Sequence, residues 1–344
     1  MWQIIGQDRI VDLLKRSFHE GRLSHAYLFI GPKHVGKMTL SINLAQALNC
    51  LSEDKPCCEC NSCRRIASGN HADVQLIQLA QNSENEQAPA RKAISVNQIR
   101  DMQYNVNLKP YEGGYRVIII DGAEYMSDGA ANSLLKTLEE PPPNTVFLLL
   151  AVDEGSLLPT IRSRCQKIEL PPLPSHIVKE ALMERWGIDP SRADLLARAC
   201  QGSIGWAISA IDDEGILEER SQHLDNLIAL SGSDITERFE FAADLATQFS
   251  KNRVAVRERL QLWLTWWRDL LLVKGNCLEF ITNNSQEGVL GQHAAQCSTS
   301  AIGGAIRSIQ ETMQQLEQNA NPRLALEVLM LNIPYVEKEE ICLT

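Results

Sequence analysis

The 344-residue sequence has no apolar run close to the roughly 20 residues needed to cross a bilayer, and its start, MWQIIGQDRIVDLLKRSF, lacks the unbroken apolar core of a secretory signal. No membrane association is expected, and the expected location is cytoplasmic. An excess of positive charge is also missing: 33 Lys and Arg stand against 43 Asp and Glu, a formal net charge of −10. A broad basic face that grips nucleic acid is thereby excluded, because such affinity rests on cations neutralising phosphates. Internal repeats and low-complexity tracts are absent as well. What remains is an ordinary globular composition, 44% hydrophobic and 22% charged, long enough for two or three domains.

Across residues 1–170, short apolar runs alternate with helical patterns. Ala26 to Ile30, Val74 to Leu79, Arg116 to Asp121 and Val146 to Ala151 read as strands of a parallel sheet covered on both faces, an α/β domain. The polar stretch between Leu79 and Ile94 has no periodicity and reads as a surface loop. Pro171-Pro172-Leu173-Pro174 marks a boundary, after which strand signals stop. Residues 171–211 read as a small helical piece and 212–344 as a longer helical block. Within that block Val256, Leu260, Trp263, Leu264, Trp267, Leu270 and Leu271 share one helical face, a packing stripe. Asn321-Pro322 supplies the N-cap and first-turn proline of the last helix, Arg323 to about Leu331.

Chemistry concentrates in two places. Strand Tyr27 to Ile30 runs into Gly31-Pro32-Lys33-His34-Val35-Gly36-Lys37-Met38-Thr39 and then an amphipathic helix. Glycines at such spacing let backbone N–H groups and a helix N-terminus cradle phosphates, with Lys37 reaching the outer ones. The pattern calls for Ser or Thr after the lysine to ligate magnesium, and Met38 offers only a soft thioether. Thr39 lies about 100° further round the helix. The second element is Asp121-Gly122-Ala123-Glu124 at the end of a buried strand, where one carboxylate suits magnesium and the other an attacking water. Turn-capping is the competing reading of these two acids.

Five of the ten cysteines crowd into residues 50–63. Cys57, Cys60 and Cys63 have two-residue spacing and Cys50 lies seven positions earlier, a set able to close a tetrahedral zinc site of structural type. A redox cluster or an iron–sulfur centre are the competing readings. Cys200, Cys277, Cys297 and Cys342 are scattered and read as ordinary thiols.

Taken together, these residues resemble the bacterial AAA+ clamp-loader subunits of DNA polymerase III, delta-prime and gamma/tau, relatives of the small subunits of replication factor C. The resemblance rests on Gly6-Gln7, His25-Ala26-Tyr27, the phosphate loop, the cysteine cluster, the run Ala130 to Pro142 (AANSLLKTLEEPP) and Leu158 to Gln166 (LPTIRSRCQ). It implies an AAA+ P-loop base domain over 1–170 with an inserted zinc module at about 50–63, a helical lid over 171–211 and an all-α collar over 212–344 that oligomerises. It implies structural zinc on Cys50, Cys57, Cys60 and Cys63, with Cys58 standing where glycine is common, and a nucleotide pocket of Gly31, Gly36, Lys37, Thr39, Asp121 and Glu124. Ser163-Arg164-Cys165 aligns with the element that presents an arginine finger to ATP on a neighbouring subunit, for which a permanently charged forked guanidinium is suited.

Three departures place the chain on the delta-prime side of that resemblance. Met38 removes the magnesium ligand, Ala151-Val152 stand where the ATPases carry a polar sensor, and Gly205 stands where their lid helix carries an arginine. The expectation is a subunit without independent ATP turnover that works with gamma/tau and delta partners and, through them, with the sliding clamp and primed DNA. The alternatives are a gamma/tau-type ATPase and a zinc-dependent DNA-binding factor. Arg64-Arg65 and Lys55 are too few to give the latter a basic face.

Overall fold

The structure, a computed structural model, describes residues 2–79, 93–112, 114–318 and 320–337. The polar stretch expected as a loop between Leu79 and Ile94 lies, except at its ends, outside the described residues, as does Cys342. The chain divides into two compact units, residues 1–186 with 202–206, and residues 187–201 with 207–344.

The first unit runs α1 (Asp8–His19), β1 (Ala26–Ile30), α2 (Lys37–Asn49), α3 (Asn61–Ala67), β2 (Val74–Ile77), α4 (Val96–Val106), β3 (Arg116–Asp121), α5 (Asp128–Glu139), β4 (Thr145–Ala151), α6 (Pro159–Arg162), β5 (Gln166–Glu169) and α7 (Ser175–Trp186). Its five strands are all parallel, in the order β2-β3-β4-β1-β5. Successive side chains of a strand face opposite ways, and both faces are filled. Leu28, Ile30, Ile118, Ile120, Phe147 and Leu149 join Ile99 and Met102 of α4 and Leu134 and Leu138 of α5. Tyr27, Phe29, Val117, Ile119, Leu148 and Leu150 join Leu14 of α1 and Leu40 and Leu44 of α2. The expected α/β base is therefore present, with its four sequence-read strands. The fifth, β5, escapes the reading because it is a polar edge strand in which only Ile168 is buried.

The second unit is helical: α8 (Pro190–Ala199), the greater part of α9 (Ile204–Asp212), α10 (Gly215–Ser231), α11 (Ile235–Lys251), α12 (Arg253–Lys274), α13 (Glu287–Gln296), α14 (Thr299–Glu317) and α15 (Pro322–Asn332). Side-chain caps start several of them: Asp234 accepts from Thr236 and Glu237 N–H, and Asn321 accepts from Leu324 N–H ahead of Pro322. The stripe on α12 is buried as expected at Val256, Leu260, Trp263, Trp267 and Leu270, while Leu264 and Leu271 are only half-covered. Trp266, off that stripe, is fully buried too, because neighbouring helices wrap more than one side of α12. Among the described residues no helix is long and apolar enough to cross a membrane.

One buried cation ties the ends of this bundle together. Arg238 on α11 donates from Nε to Leu230 O at 3.0 Å and from Nη2 to Ser231 O at 2.9 Å, closing the end of α10. Its Nη1 donates to Met330 O at 3.1 Å and Ile333 O at 2.7 Å, closing the end of α15. These are carbonyls that a helix leaves without internal partners. Arg238→Met keeps much of the length and removes every donor, so the second unit is expected to lose about 2–3 kcal/mol in urea unfolding followed by circular dichroism.

Candidate functional site

The phosphate loop sits where β1 ends. Gly31 lies so close to the chain leaving β5 that a Cβ there would fall 2.3 Å from Leu170 O, and Gly36, with φ of 109°, holds the left-handed N-cap of α2. Between them Lys37 folds back over the loop, its Nζ donating to Gly31 O at 2.6 Å and Pro32 O at 2.7 Å. The ammonium is thus fixed before any ligand arrives. Burial lowers its pKa, and the carboxylates of Glu124 and Asp121 act against that fall. Burial in turn raises the pKa of Asp121 and of Glu124, with the Lys37 charge opposing it in both. Glu124 Oε1 accepts the Val152 N–H at 3.4 Å, and its Oε2 is buried with no hydrogen-bond partner among the described residues. The structure therefore brings Gly31, Gly36, Lys37, Asp121 and Glu124 to one end of the sheet, with Thr39 half-buried on the first turn of α2.

The three departures fall around this same end. Met38 packs its side chain against the apolar cluster under the sheet, leaving no hydroxyl at the position after Lys37. Ala151 is buried in β4 opposite Ile30, and Val152 meets Glu124 only through its backbone. Gly205 donates its N–H to His34 O at 2.8 Å, and a Cβ there would lie 3.0 Å from that oxygen. Gly205, the second residue of α9, thus touches the phosphate loop by main chain.

Arg164 lies apart from these groups, just after α6. It donates from Nη1 to Thr160 O at 2.9 Å and from Nη2 to Glu139 Oε1 at the end of α5, and its side chain remains one-third exposed. Cys165 beside it is half-buried, and burial pushes its thiol up to about 12.

The second site is a sulfur cluster. The Sγ atoms of Cys50, Cys57, Cys60 and Cys63 all lie within 4.8 Å of one another, with Cys50 to Cys57 at 3.4 Å and Cys57 to Cys63 at 4.0 Å. Four thiolates on zinc at 2.3 Å would stand roughly 3.8 Å apart, so the donor set fits that ion. The described cysteines are all free thiols. Backbone N–H groups already point at the sulfurs: Cys57 N–H toward Cys50, Cys60 N–H toward Cys57, and Cys63 N–H toward Cys60. The N–H groups of Cys60 and Glu59 hold the Cys57 thiol down to about 6, favouring the ligating thiolate. Cys58 stands outside the four. Its φ of 63° is the left-handed turn that glycine adopts freely, and its Sγ faces Gln46 Oε1 at 3.8 Å.

Beside the cluster lies a polar core that the sequence reading passed over. Asp73 is fully buried and accepts the N–H groups of Tyr111 at 2.7 Å and Glu112 at 2.9 Å and the Arg116 guanidinium at 3.1 Å. Burial raises its pKa, but those donors more than offset this and leave it below the ordinary value. His71, two residues earlier, meets Ser62 Oγ at 3.1 Å and Glu112 Oε2 at 3.2 Å. The signal available was a His-Ala-Asp run directly before an apolar strand.

Two measurements follow from this geometry. Met38→Thr is expected to strengthen binding of ADP with magnesium about tenfold or more in calorimetric titration, with no gain in EDTA, because the new hydroxyl acts only through the metal. A carboxylate with a depressed folded pKa contributes stability above its unfolded pKa of about 3.9 and loses it as pH falls through the folded value. Asp73→Asn is therefore expected to cost about 1–3 kcal/mol at neutral pH, the gap from the unsubstituted chain closing below about pH 4.

The comparisons bear on both parts of the chain. Residues 6–174 match the family model described as DNA polymerase III, delta subunit, and residues 214–334 match DNA polymerase III, delta subunit, C terminal. The delta' subunit of DNA polymerase III from Bacillus subtilis is 32% identical over 94% of this chain and 95% of its own length. The delta' subunit from Pseudomonas aeruginosa is 30% identical over 90% of this chain and 91% of its own. The tau subunit of Bacillus subtilis is 27% identical over 96% of this chain but only 60% of its own length. With a P-loop sheet, a four-cysteine cluster, a helical C-terminal unit and full-length similarity at this level, the chain belongs to the DNA polymerase III delta-prime subunit family.

Proposed function

We propose that the chain is the delta-prime component of a DNA polymerase III clamp loader, a subunit that lends Arg164 to the ATP site of a neighbouring gamma/tau subunit and turns over no ATP of its own. The observation that carries this reading is that Met38, Ala151 and Gly205 all fall around one phosphate loop, while the Ser163-Arg164-Cys165 element is intact and partly exposed. Each departure removes a different part of the hydrolytic apparatus: a metal ligand, a contact to the transferred phosphate and a cationic clamp. A guanidinium held by one exposed carboxylate, one carbonyl and the neighbouring Ser163 hydroxyl is cheaply released to a more highly charged partner, since such surface pairs are worth at most about 1 kcal/mol.

In this reading residues 171–211 act as the lid and 212–344 as the collar through which gamma/tau and delta subunits assemble. The four cysteines hold a structural zinc, with no ligand position left for a catalytic water. ATP or ADP would sit on Lys37 and the loop N–H groups. Sliding clamp and primed DNA are reached through the complex, in keeping with the net negative charge. The cytoplasm is the location such an assembly implies.

The test is ATP hydrolysis by the reconstituted loader, with the unsubstituted chain or with Arg164→Ala, beside the isolated chain. Fingers are worth on the order of 10³-fold or more in rate, so turnover at the neighbouring site is expected to collapse in the variant, while the isolated chain stays at background. Robust hydrolysis by the isolated chain would instead favour the gamma/tau-type reading, for which the 27% identity to tau leaves room.

A further inference from the structure

We infer that the cysteine module is a metal-dependent anchor for the chain entering β3: occupancy of the four sulfurs is coupled to the order of Glu112, Gly114 and Tyr115 through Asn49, Arg65 and His71. The inference rests on the reading of the cluster as a zinc site.

The module ends in α3, a helix of seven residues, well below the roughly 12–15 at which isolated helices become even marginal in water. Its start is made by two of the sulfurs. Cys60 is the N-cap, its Sγ accepting the Cys63 N–H, and Cys63 lies in the first turn, so a metal on both would staple that turn shut and join it to Cys50 at the end of α2. Residues beside those ligands then reach across to one segment of backbone. From α3, Arg65 Nη1 donates to Glu112 Oε1 at 2.5 Å, and Ser62 Oγ lies 3.1 Å from His71 Nε2. His71 Nδ1 accepts the Asp73 N–H, which leaves Nε2 as the protonated nitrogen of the neutral ring and directs it at Ser62 and Glu112. From α2, Asn49 stands next to Cys50, is buried, and accepts the Tyr115 N–H on Oδ1 at 2.9 Å. The fit is close enough that a Cβ on Gly114 would fall 2.2 Å from that oxygen.

Asp73 holds the N–H groups of Tyr111 and Glu112 from the sheet side, independently of the sulfurs. The segment therefore has two anchors of different origin, and only one depends on metal. Losing that one loosens the segment without dissolving β3.

Amide hydrogen exchange on the full chain tests this, with zinc content measured by atomic absorption and the exchange read before and after chelation, β1 and β4 serving as the folding control. Zinc bound at one per chain is expected, with protection of the Tyr115 amide falling about tenfold or more on its removal, while the Tyr111 and Glu112 amides, held by Asp73, and β1 and β4 stay protected. Absence of bound zinc overturns both the zinc reading and the coupling. Zinc present, with residues 50–68 loosened by chelation and the Tyr115 amide unchanged, overturns the coupling alone. Should chelation unfold the whole first unit, Asn49→Ala with zinc still bound decides: selective loosening at 114–115 upholds the anchor, and unaltered protection there overturns it.

Discussion

Everything at the phosphate loop depends on two backbones approaching more closely than any side chain permits. Leu170 N–H bonds Ile30 O at 2.7 Å as the chain leaves β5, and Leu170 O then lies where a Cβ of residue 31 would be. Only glycine lets β1 remain paired with β5 while the chain turns into the loop. From that turn follow the fold-back of Lys37 onto the loop carbonyls and the start of α2 at Gly36. The carboxylates of Asp121 and Glu124 come to the same place because β3 lies two strands away in a parallel sheet, whose carboxyl ends are all on one side.

Lys37, the loop amides, Asp121 and Glu124 share one end of the sheet, and the three positions around it carry a thioether, a methyl group and no side chain at Met38, Ala151 and Gly205. Gly205 packs closely on the loop, its N–H on His34 O at 2.8 Å and a Cβ there 3.0 Å from the same oxygen. The likeness to delta' subunits extends along nearly the whole chain.

Buried polar groups supply the other half of the organisation. Arg238 gathers carbonyls at two helix ends, Asp73 gathers three donors, and the cysteines gather one another with their own backbone amides. Each is a charge or thiol whose burial is tolerable only because its partners are fixed by separate elements.

Four of the five strands, the phosphate loop, the cysteine set and the N-cap of the last helix were legible in the sequence because each is written in neighbouring residues: continuous apolar runs, glycine spacing, two-residue cysteine steps, Asn before Pro. The resemblance then pointed to Arg164, whose local surroundings alone read as a surface ion pair. What only the tertiary structure decided are relations between residues far apart in the chain. These include β5, polar in sequence but paired to β1; Trp266, buried although off the stripe; Cys58, whose Sγ faces Gln46 rather than the four sulfurs; and the Arg238 and Asp73 centres, most of whose partners are main-chain atoms. A backbone carbonyl or amide leaves no mark in the sequence, so an interaction built on one becomes visible only when the chain has been folded around it.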